Sequence, residues 1–213
     1  MAAPIVFGPT FSTYVRTARL ALEEKPAPYE LVDVPLMQGA HKEEPFLKRN
    51  PFGKVPAFEH DGFALYETGA IIRYIDRVFA GASLQPAEPK RLARMDQVIG
   101  IVDSFAYPSI IGKLVWQRIV TPMIGGTPDD AIVREALPQI RLCLSELDRL
   151  LGEAQWFGGE AVSLADLHLA PLFAYMTTTP EAGELLGAQQ RLGAWWQRIA
   201  ARPSMARTQP KFG

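Results

Sequence analysis

Four hydroxyl side chains lie close together near the start of the chain, at Thr10, Ser12, Thr13 and Tyr14. They follow the apolar run 4–8 (PIVFG), which predicts a buried strand, and they precede a helical pattern that begins at Tyr14. One interpretation is a turn whose hydroxyls cap the first amides of that helix. The other is a ligand site, because α/β sheets bind ligands at the carboxyl ends of their strands.

A second group of residues is suited to binding a short peptide. Proline has no amide donor, so Pro56 must lie at the edge or opening of a strand, which leaves the amide and carbonyl of Val55 free to pair with an extended peptide. Glu67 and Thr68 begin the next helical pattern. The amino end of a helix favours a carboxylate, while the Glu67 side chain can hold an amine. Together these segments predict a site for a small zwitterionic peptide.

The residues around these segments resemble a known family. The runs 53–58 (GKVPAF) and 67–75 (ETGAIIRYI) are similar to the glutathione-binding core of cytosolic glutathione transferases, and 43–53 (EEPFLKRNPFG) is closest to the phi-like, serine-type branch. The similarity extends from about Ile5 to Pro203. Each motif is weak alone, but their order and spacing together are specific. The resemblance implies a glutathione S-transferase, with glutathione as cosubstrate and no metal.

The resemblance assigns activation of the glutathione thiol to Ser12, with Thr13 and Tyr14 as the alternatives. A thiol with a pKa of about 8.5 is only a few per cent ionised at pH 7, and the thiolate is the nucleophile. A hydroxyl that donates to sulfur beside a helix amino terminus favours the anion. The glutathione sulfur, and not Ser12, would then attack a hydrophobic electrophile.

The remaining glutathione contacts that the resemblance implies come from several parts of the chain. They are His41, Lys42, Lys54, Val55, Pro56, Glu67, Thr68 and Asp103. His41 and Lys42 are expected to hold the glycyl carboxylate, although a solvated polar loop is the alternative. Lys54 stands where phi-like members commonly have Gln. Asp103 would reach the γ-glutamyl amine on a neighbouring subunit, or is an ordinary solvated carboxylate. The Val55–Pro56 bond is expected to be cis.

A set of mostly apolar residues is expected to form the wall of the electrophile site above Ser12. Its members are Phe11, Thr13, Leu36, Met37, Tyr107, Ile111, Trp116, Ile119 and Met123. Ordinary core packing is the alternative for those on helices, because they recur at core spacing.

Phe52 lies in a turn that is expected to be exposed. In several classes of the family an aromatic residue here inserts between helices of a second subunit, and large exposed aromatics are costly unless a partner buries them. The resemblance therefore implies a homodimer with Phe52 as an interface key. The alternative is a phenyl ring folded over its own turn.

Other reactive residue types are expected to be structural. Cys143 is the single cysteine, which allows no internal disulfide, and its helical context indicates a small inert side chain. His60 and His168 have no partners at metal-ligand spacing. Ser163 and Asp166 have the spacing of a capping box that begins a helix.

Two regions are predicted to position these residues. The first has the element order β-α-β-α-β-β-α, with a hairpin at Asp61 and Gly62, and resembles a thioredoxin-like α/β fold. The second is helical throughout, with a long segment from Lys90 to about Val120 that is expected to bend at Pro108. We expect residues 1–82 to form the thioredoxin-like glutathione-binding domain, 83–90 a linker and 91–213 an all-helical domain.

Composition excludes several classes of protein. The chain has 213 residues, 48% of them hydrophobic, which is enough for a real core. Its net charge of −1 comes from interspersed charges, without the basic stripe that nucleic acids or membranes require. The apolar runs are short and the first residues do not resemble a leader, so we expect a cytoplasmic protein.

Two further functions stay open at this point. One is a specialised glutathione-dependent dehalogenase, etherase or isomerase on the same fold. The other is a binding protein of this fold that has no turnover.

Overall fold

The computed structural model describes residues 2–211, which form two compact units. The first unit contains the described residues up to Gln85 together with those from Ala201 onward, and the second is Pro86–Ala200. This division differs from the expected domains at the carboxyl end, where 201–211 belongs with the first unit. It also assigns 83–85, from the expected linker, to the first unit.

The first unit has the predicted order of elements up to residue 78. They are β1 (Ile5–Phe7), α1 (Thr13–Glu24), β2 (Glu30–Val32), α2 (Glu44–Leu47), β3 (Ala57–His60), β4 (Phe63–Tyr66) and α3 (Thr68–Val78). Two single 3-10 turns, Leu36–Gln38 and Ala40–Lys42, precede α2. This is the expected thioredoxin-like arrangement.

The strands form one mixed sheet in the order β2-β1-β3-β4. β1 is parallel to β2 and antiparallel to β3, and β3 and β4 form a hairpin. Val6 pairs with Phe58 at the centre, and both side chains are fully buried. Asp61 and Gly62 both have positive φ, as a two-residue hairpin turn of this kind requires. The predicted hairpin is therefore confirmed.

The second unit is helical. Its elements are α4 (Pro89–Ile101), a helix of wider π-type winding (Val102–Val120), α5 (Thr121–Met123), α6 (Asp130–Leu151), α7 (Leu164–Met176), α8 (Ala182–Gly187) and α9 (Gln190–Ala200). The first three are continuous along the chain, as predicted for the long helical segment. In the wide part the Thr121 amide donates to the Trp116 carbonyl, five residues back. Pro108, at the predicted bend, lies in this wide part and contributes no amide donor.

The continuous helix Pro89–Met123 is long and apolar enough to cross a membrane, with a mean hydropathy of 1.5 in its most apolar window. The core helix of a soluble protein meets the same criterion. Here Val102, Ala106, Ile110 and Leu114 are fully buried, and the Val102–Val120 helix packs against α6 and α7. Packing inside the second unit therefore accounts for part of its apolar character.

The capping box predicted before α7 is present at Ser163 and Asp166. Asp166 is fully buried, and its Oδ2 accepts the Ser163 amide at 2.7 Å. Its Oδ1 accepts the Phe157 amide at 3.0 Å and the Trp195 indole at 2.8 Å. One carboxylate thus joins α7, α9 and the loop before α7, which is the structural role that the sequence predicts.

The segment 202–211, which we call the carboxyl-terminal strap, contains α10 (Pro203–Arg207) and packs against α1. The Arg16 guanidinium donates to the Met205 carbonyl at 3.0 Å, and the Arg19 guanidinium donates to the Thr208 carbonyl at 3.2 Å. Both arginines are more than nine-tenths buried. These bonds explain why the strap belongs to the first unit, and not to the helical domain expected from the sequence.

The start of the expected linker is also bound to the first unit. Lys25 and Asp76 form a buried ion pair at 3.1 Å. Lys25 also donates to the Ala82 carbonyl at 3.0 Å, and Asp76 accepts the Leu84 amide at 2.8 Å. Because a buried charge needs such partners, these bonds hold 82–84 in place.

Candidate functional site

Ser12 is the residue immediately before α1. Its backbone is extended, with φ −68° and ψ 127°, and its Oγ accepts the Val15 amide at a long 3.4 Å. Its side chain is partly exposed. Within residues 2–211 the Ser12 hydroxyl donates to no acceptor, so its hydrogen is available to a ligand at the amino end of α1.

The other three hydroxyls of this turn are placed differently. Thr10 Oγ1 donates to the Lys211 carbonyl at 2.9 Å and accepts the Lys211 amide at 3.1 Å. Thr13 begins α1 and is only 4% exposed. Tyr14 is half-buried within α1 and has interactions of its own. Of the four, Ser12 best combines access to solvent with an available hydroxyl hydrogen.

Val55 lies beside the end of β1. A Cβ placed on Gly8 would come within 3.1 Å of the Val55 Cβ and 2.4 Å of Val15 Cγ2. Gly8 also has a φ of +147°, so glycine is required there for both reasons. The Val55–Pro56 bond is cis, as expected. Ser12 and Val55 thus flank the same end of β1.

A buried asparagine shapes the turn that leads to Val55. Asn50 is 2% exposed, its Nδ2 donates to the Lys54 carbonyl at 2.6 Å, and its Oδ1 accepts the Phe52 amide at 3.1 Å. Asn50 is absent from the predicted site residues. The signal that indicates it is the Asn-Pro pair at the start of the turn.

His41 is brought to the same turn. A Cβ on Gly53, whose φ is +60°, would stand 3.0 Å from the His41 carbonyl oxygen, so the two backbones are in close contact. Among residues 2–211 the buried Nδ1 of His41 has no hydrogen-bond partner. A buried polar atom without a partner is costly, which favours a ligand group near it. Lys42, which follows His41, and Lys54, which follows Gly53, are both exposed.

Glu67 precedes α3 in a backbone conformation that is rare for any residue except glycine, with φ +69° and ψ 110°. Its carbonyl accepts the Ala70 and Ile71 amides, while its side chain is exposed. The next residue, Thr68, is buried and begins α3. Strain of this kind is often found at ligand sites, and the amides of the first turn point out of the helix.

The hairpin register brings Val55 and Glu67 together. Ala57 pairs with Tyr66, so continuing the antiparallel register by one residue places Pro56 opposite Glu67. The first unit therefore gathers Ser12, the His41 loop, Val55–Pro56 and Glu67–Thr68 at one end of its sheet. The Val55 backbone is of the kind that pairs with an extended peptide, and the amino end of α3 is of the kind that favours an anion.

Asp103 lies in the second unit, on the Val102–Val120 helix. Its Oδ1 is 2.7 Å from Nε2 of His168, a fully buried residue of α7. The Asp103 side chain is 42% exposed. From the sequence, Asp103 is expected either to be solvated or to reach a ligand. In the structure its carboxylate is also held by the buried imidazole of His168. The His168 contact was not predicted.

The predicted electrophile-wall residues are divided between the units. Phe11, Thr13, Leu36 and Met37 belong to the first unit, where Thr13 is buried in α1, Leu36 packs against the cluster that contains Phe7, and Met37 is exposed. The others lie along the helical segment 107–123 of the second unit. There Trp116 and Met123 are about half exposed, Ile111 and Ile119 are half-buried, and burial raises the pKa of Tyr107.

Phe52 is 67% exposed within its own chain. Its ring meets the Tyr66 ring edge-on, with centroids 5.9 Å apart. The hydrogen bond from the Phe52 amide to Asn50 Oδ1 fixes the backbone of the turn, and this fixes the point from which the ring projects. This arrangement suits a residue at an interface with a second chain.

The remaining reactive residue types have internal partners. Cys143 is buried, Gln139 donates to its Sγ at 3.4 Å, and burial raises the pKa of its thiol. His60 is buried, with Nδ1 2.9 Å from the Tyr74 hydroxyl. In residues 2–211 we find no group of three or more His, Cys, Asp or Glu side chains arranged to hold a metal ion.

Comparison with known proteins identifies the family. The family model for the glutathione S-transferase N-terminal domain matches residues 4–77, and that for the C-terminal domain matches residues 107–203. Glutathione S-transferase F7 of Arabidopsis thaliana is 36% identical over 206 residues, which is 96% of this chain and 98% of that protein. A glutathione S-transferase of Hyoscyamus muticus is 36% identical over 94% of both chains.

Solved structures agree with the sequence comparisons. The crystal structure of glutathione transferase F7 from Populus trichocarpa superposes with a TM-score of 0.87 at 31% identity and covers 97% of both chains. A structure of glutathione S-transferase III in apo form gives a TM-score of 0.87 at 33% identity and covers both chains completely. The chain therefore belongs to the glutathione S-transferase family, and its plant relatives are of the phi class.

Proposed function

We propose that this protein conjugates glutathione to hydrophobic electrophiles and that Ser12 stabilises the glutathione thiolate. The observation that carries the proposal is the position of the Ser12 hydroxyl, partly exposed at the amino end of α1. Its weak 3.4 Å contact with the Val15 amide leaves the hydroxyl hydrogen available to sulfur. Its relatives of similar length carry the name glutathione S-transferase, which supports the same activity.

Glutathione would lie in extended form along Val55, whose amide and carbonyl pair with the cysteinyl residue. The γ-glutamyl carboxylate would meet the first amides of α3 at Thr68, and its amine would meet the Glu67 carboxylate. His41, Lys42 and Lys54 would surround the glycyl carboxylate as cationic or hydrogen-bonding donors. The unpartnered Nδ1 of His41 supports this assignment. Asp103 would add a carboxylate to the γ-glutamyl amine in a partner subunit.

The chemical step then needs little from the protein beyond ionisation and orientation. The thiol loses its proton to water, and the Ser12 hydroxyl and the amino end of α1 stabilise the resulting anion. Lowering the thiol pKa by about two units takes about 2.7 kcal/mol, which two such interactions can supply. The thiolate attacks the electrophilic carbon and forms the C–S bond. A leaving group such as chloride departs with the bonding electrons.

Assembly and location complete the proposal. Dimerisation is typical of the family, and an exposed Phe52 is suited to insertion into a second subunit. A single buried cysteine suits the reducing cytoplasm, where we place the protein. The interspersed charges do not favour nucleic acid or an anionic membrane surface.

Steady-state assays with glutathione and several electrophiles test the function. We expect turnover of aryl halides such as chlorodinitrobenzene, with kcat/KM lowered on the order of 10- to 1,000-fold in Ser12→Ala. Thr17→Ser, a substitution inside α1, serves as a control that should keep full activity. No turnover with aryl halides, epoxides or peroxides would indicate a binding protein. Turnover restricted to one haloalkane, aryl ether or isomerisable substrate would indicate a specialised enzyme.

A further inference from the structure

The carboxyl-terminal strap runs along the whole of α1 in the opposite direction. Arg202 pairs with Glu24 at the far end of the helix, at 2.6 Å. Arg16 holds the middle of the strap through the carbonyl of Met205, and Arg19 through those of residues 207 and 208. The series ends at Lys211, whose backbone reaches Thr10, just before α1. The strap therefore connects both ends of the helix that begins at Ser12.

The contact between Thr10 and Lys211 is reciprocal. The Thr10 hydroxyl donates to the Lys211 carbonyl at 2.9 Å and accepts the Lys211 amide at 3.1 Å. Both distances lie in or near the usual range for protein hydrogen bonds, and the two bonds together fix the direction of the Thr10 hydroxyl. The residue at position 10 therefore needs a hydroxyl that can both donate and accept. Serine is the other residue of similar size that has one.

Thr10 belongs to the same turn as Ser12. The Ser12 amide donates to the Pro9 carbonyl at 3.2 Å, which closes a turn that contains Thr10. A restraint on Thr10 therefore restrains the direction in which Ser12 leaves the turn. Among the described residues, the Ser12 hydroxyl is held only by the 3.4 Å contact with the Val15 amide.

The strap is anchored firmly enough to act as a restraint. Arg16 is 4% exposed and Arg19 is 7% exposed, and both buried guanidinium groups donate hydrogen bonds to carbonyls of the strap. Releasing the strap would remove hydrogen-bond acceptors from two buried charges, which is costly. The exposed bonds at Thr10 are thus the last contacts of a segment whose position is set by buried ones.

We propose that Thr10 is a positioning residue for Ser12, and that its bonds to Lys211 tie the catalytic turn to the carboxyl-terminal strap. The inference rests on the proposed role of Ser12. Without this tie the turn has more accessible conformations, and the hydroxyl spends less time where the glutathione sulfur binds. Binding of glutathione itself would change little, because its other contacts lie on different segments.

The test is Thr10→Val in the full-length chain, which keeps the shape of threonine but removes the hydroxyl. We expect kcat/KM with chlorodinitrobenzene to fall about 5- to 30-fold, less than the loss that a fixed misplacement near 1 Å causes. The pKa of enzyme-bound glutathione should rise, while KM for glutathione stays within about twofold. Thr10→Ser should restore both quantities, since serine can make the same two bonds.

A chain that ends at Pro210 tests the other partner, and a chain that ends at Lys211 is its control. The shorter chain should behave as Thr10→Val does, and the control should behave as the full chain. Combining Thr10→Val with the shorter chain should add no further loss, as expected when both changes remove one interaction. If Thr10→Val does not fold, the comparison of the two shortened chains still decides the question.

Three results would overturn the inference. They are unchanged thiol ionisation in Thr10→Val, failure of Thr10→Ser to restore it, and losses that add in the combined variant. The parent proposal fails separately, if Ser12→Ala leaves the pKa of bound glutathione unchanged. A low pKa that depends on Ser12 but not on Thr10 would therefore contradict only the positioning role.

Discussion

Gly8 lies against Val55, so closely that a Cβ on Gly8 would come within 3.1 Å of the Val55 Cβ. The glycine allows the end of β1, the start of α1 and the segment at Val55 to meet. Ser12 and Val55 therefore lie at the same end of β1, although 43 positions separate them in the sequence.

We predict that Gly8→Ala is strongly destabilising. The new methyl group would meet Val15 Cγ2 at 2.4 Å, and the φ of +147° is unfavourable for alanine. We expect the free energy of unfolding to fall by about 2–4 kcal/mol, measured by urea denaturation. Gly62→Ala is a useful comparison, because it also has positive φ but nothing within 4 Å of the added Cβ. Equal losses in the two variants would show that the close contact with Val55 and Val15 is unimportant.

We predict that Asn50→Ala damages both stability and glutathione binding. The change removes two part-buried hydrogen bonds, to the Lys54 carbonyl and from the Phe52 amide, and each typically contributes about 0.5–1.5 kcal/mol. The turn before Val55 would loosen, so KM for glutathione should rise several-fold while Ser12 is untouched. Calorimetric titration of glutathione checks this. Asn50→Asp keeps the acceptor for Phe52 but loses the donor to Lys54, and an affinity equal to that of the parent would contradict the role of that donor.

We predict that acid weakens the carboxyl-terminal strap through Glu24. Burial acts to raise the pKa of Glu24, but hydrogen bonds from Arg202 and Ser204 outweigh it and hold the pKa below the usual 4.5. A carboxylate with a lowered folded-state pKa contributes stability above the unfolded pKa, and this contribution is lost as the pH falls through the folded value. The loss should therefore lie below pH 4.5. Urea unfolding at several pH values should show it in the parent and not in Glu24→Gln; identical pH profiles would refute it.

We predict that Phe52→Ala leaves the subunit folded but weakens a dimer. The ring is 67% exposed in the single chain, so its removal costs the subunit little. At an interface the loss of an aromatic anchor typically costs 2 kcal/mol or more, which is about a 30-fold rise in the dissociation constant. Sedimentation at several concentrations measures it. Phe63→Ala is the control, because Phe63 is another half-exposed aromatic of the same unit. Equal dimer constants for the parent and Phe52→Ala would exclude the key role.

Much of the first unit is predictable from local patterns. The hydroxyl turn, the hairpin at Asp61 and Gly62 and the start of α3 at Thr68 are each indicated by a few neighbouring residues. The capping box at Ser163 is local in the same way. The role assigned to Ser12 came from the resemblance, since spacing alone left capping and catalysis open.

The features that sequence reasoning missed depend on contacts between distant residues. Arg16 and Arg19 look like the polar face of α1, yet they are buried against residues nearly 190 positions away. That contact places the strap in the first unit, and not in the all-helical domain expected for 91–213. His168 and Asp103 are 65 positions apart and show no shared motif. The π-type winding from Val102 onward likewise has no clear local signal except Pro108.

The ionisation of bound glutathione tests the central claim most directly. The ultraviolet absorbance of the thiolate is followed during a pH titration of the glutathione complex, in the parent chain and in Ser12→Ala. The account predicts a thiol pKa of roughly 6 to 7 in the parent, about two units below the free value, and a return towards about 8.5 in Ser12→Ala with glutathione still bound. A thiolate that forms at the same low pH in both proteins would contradict the account.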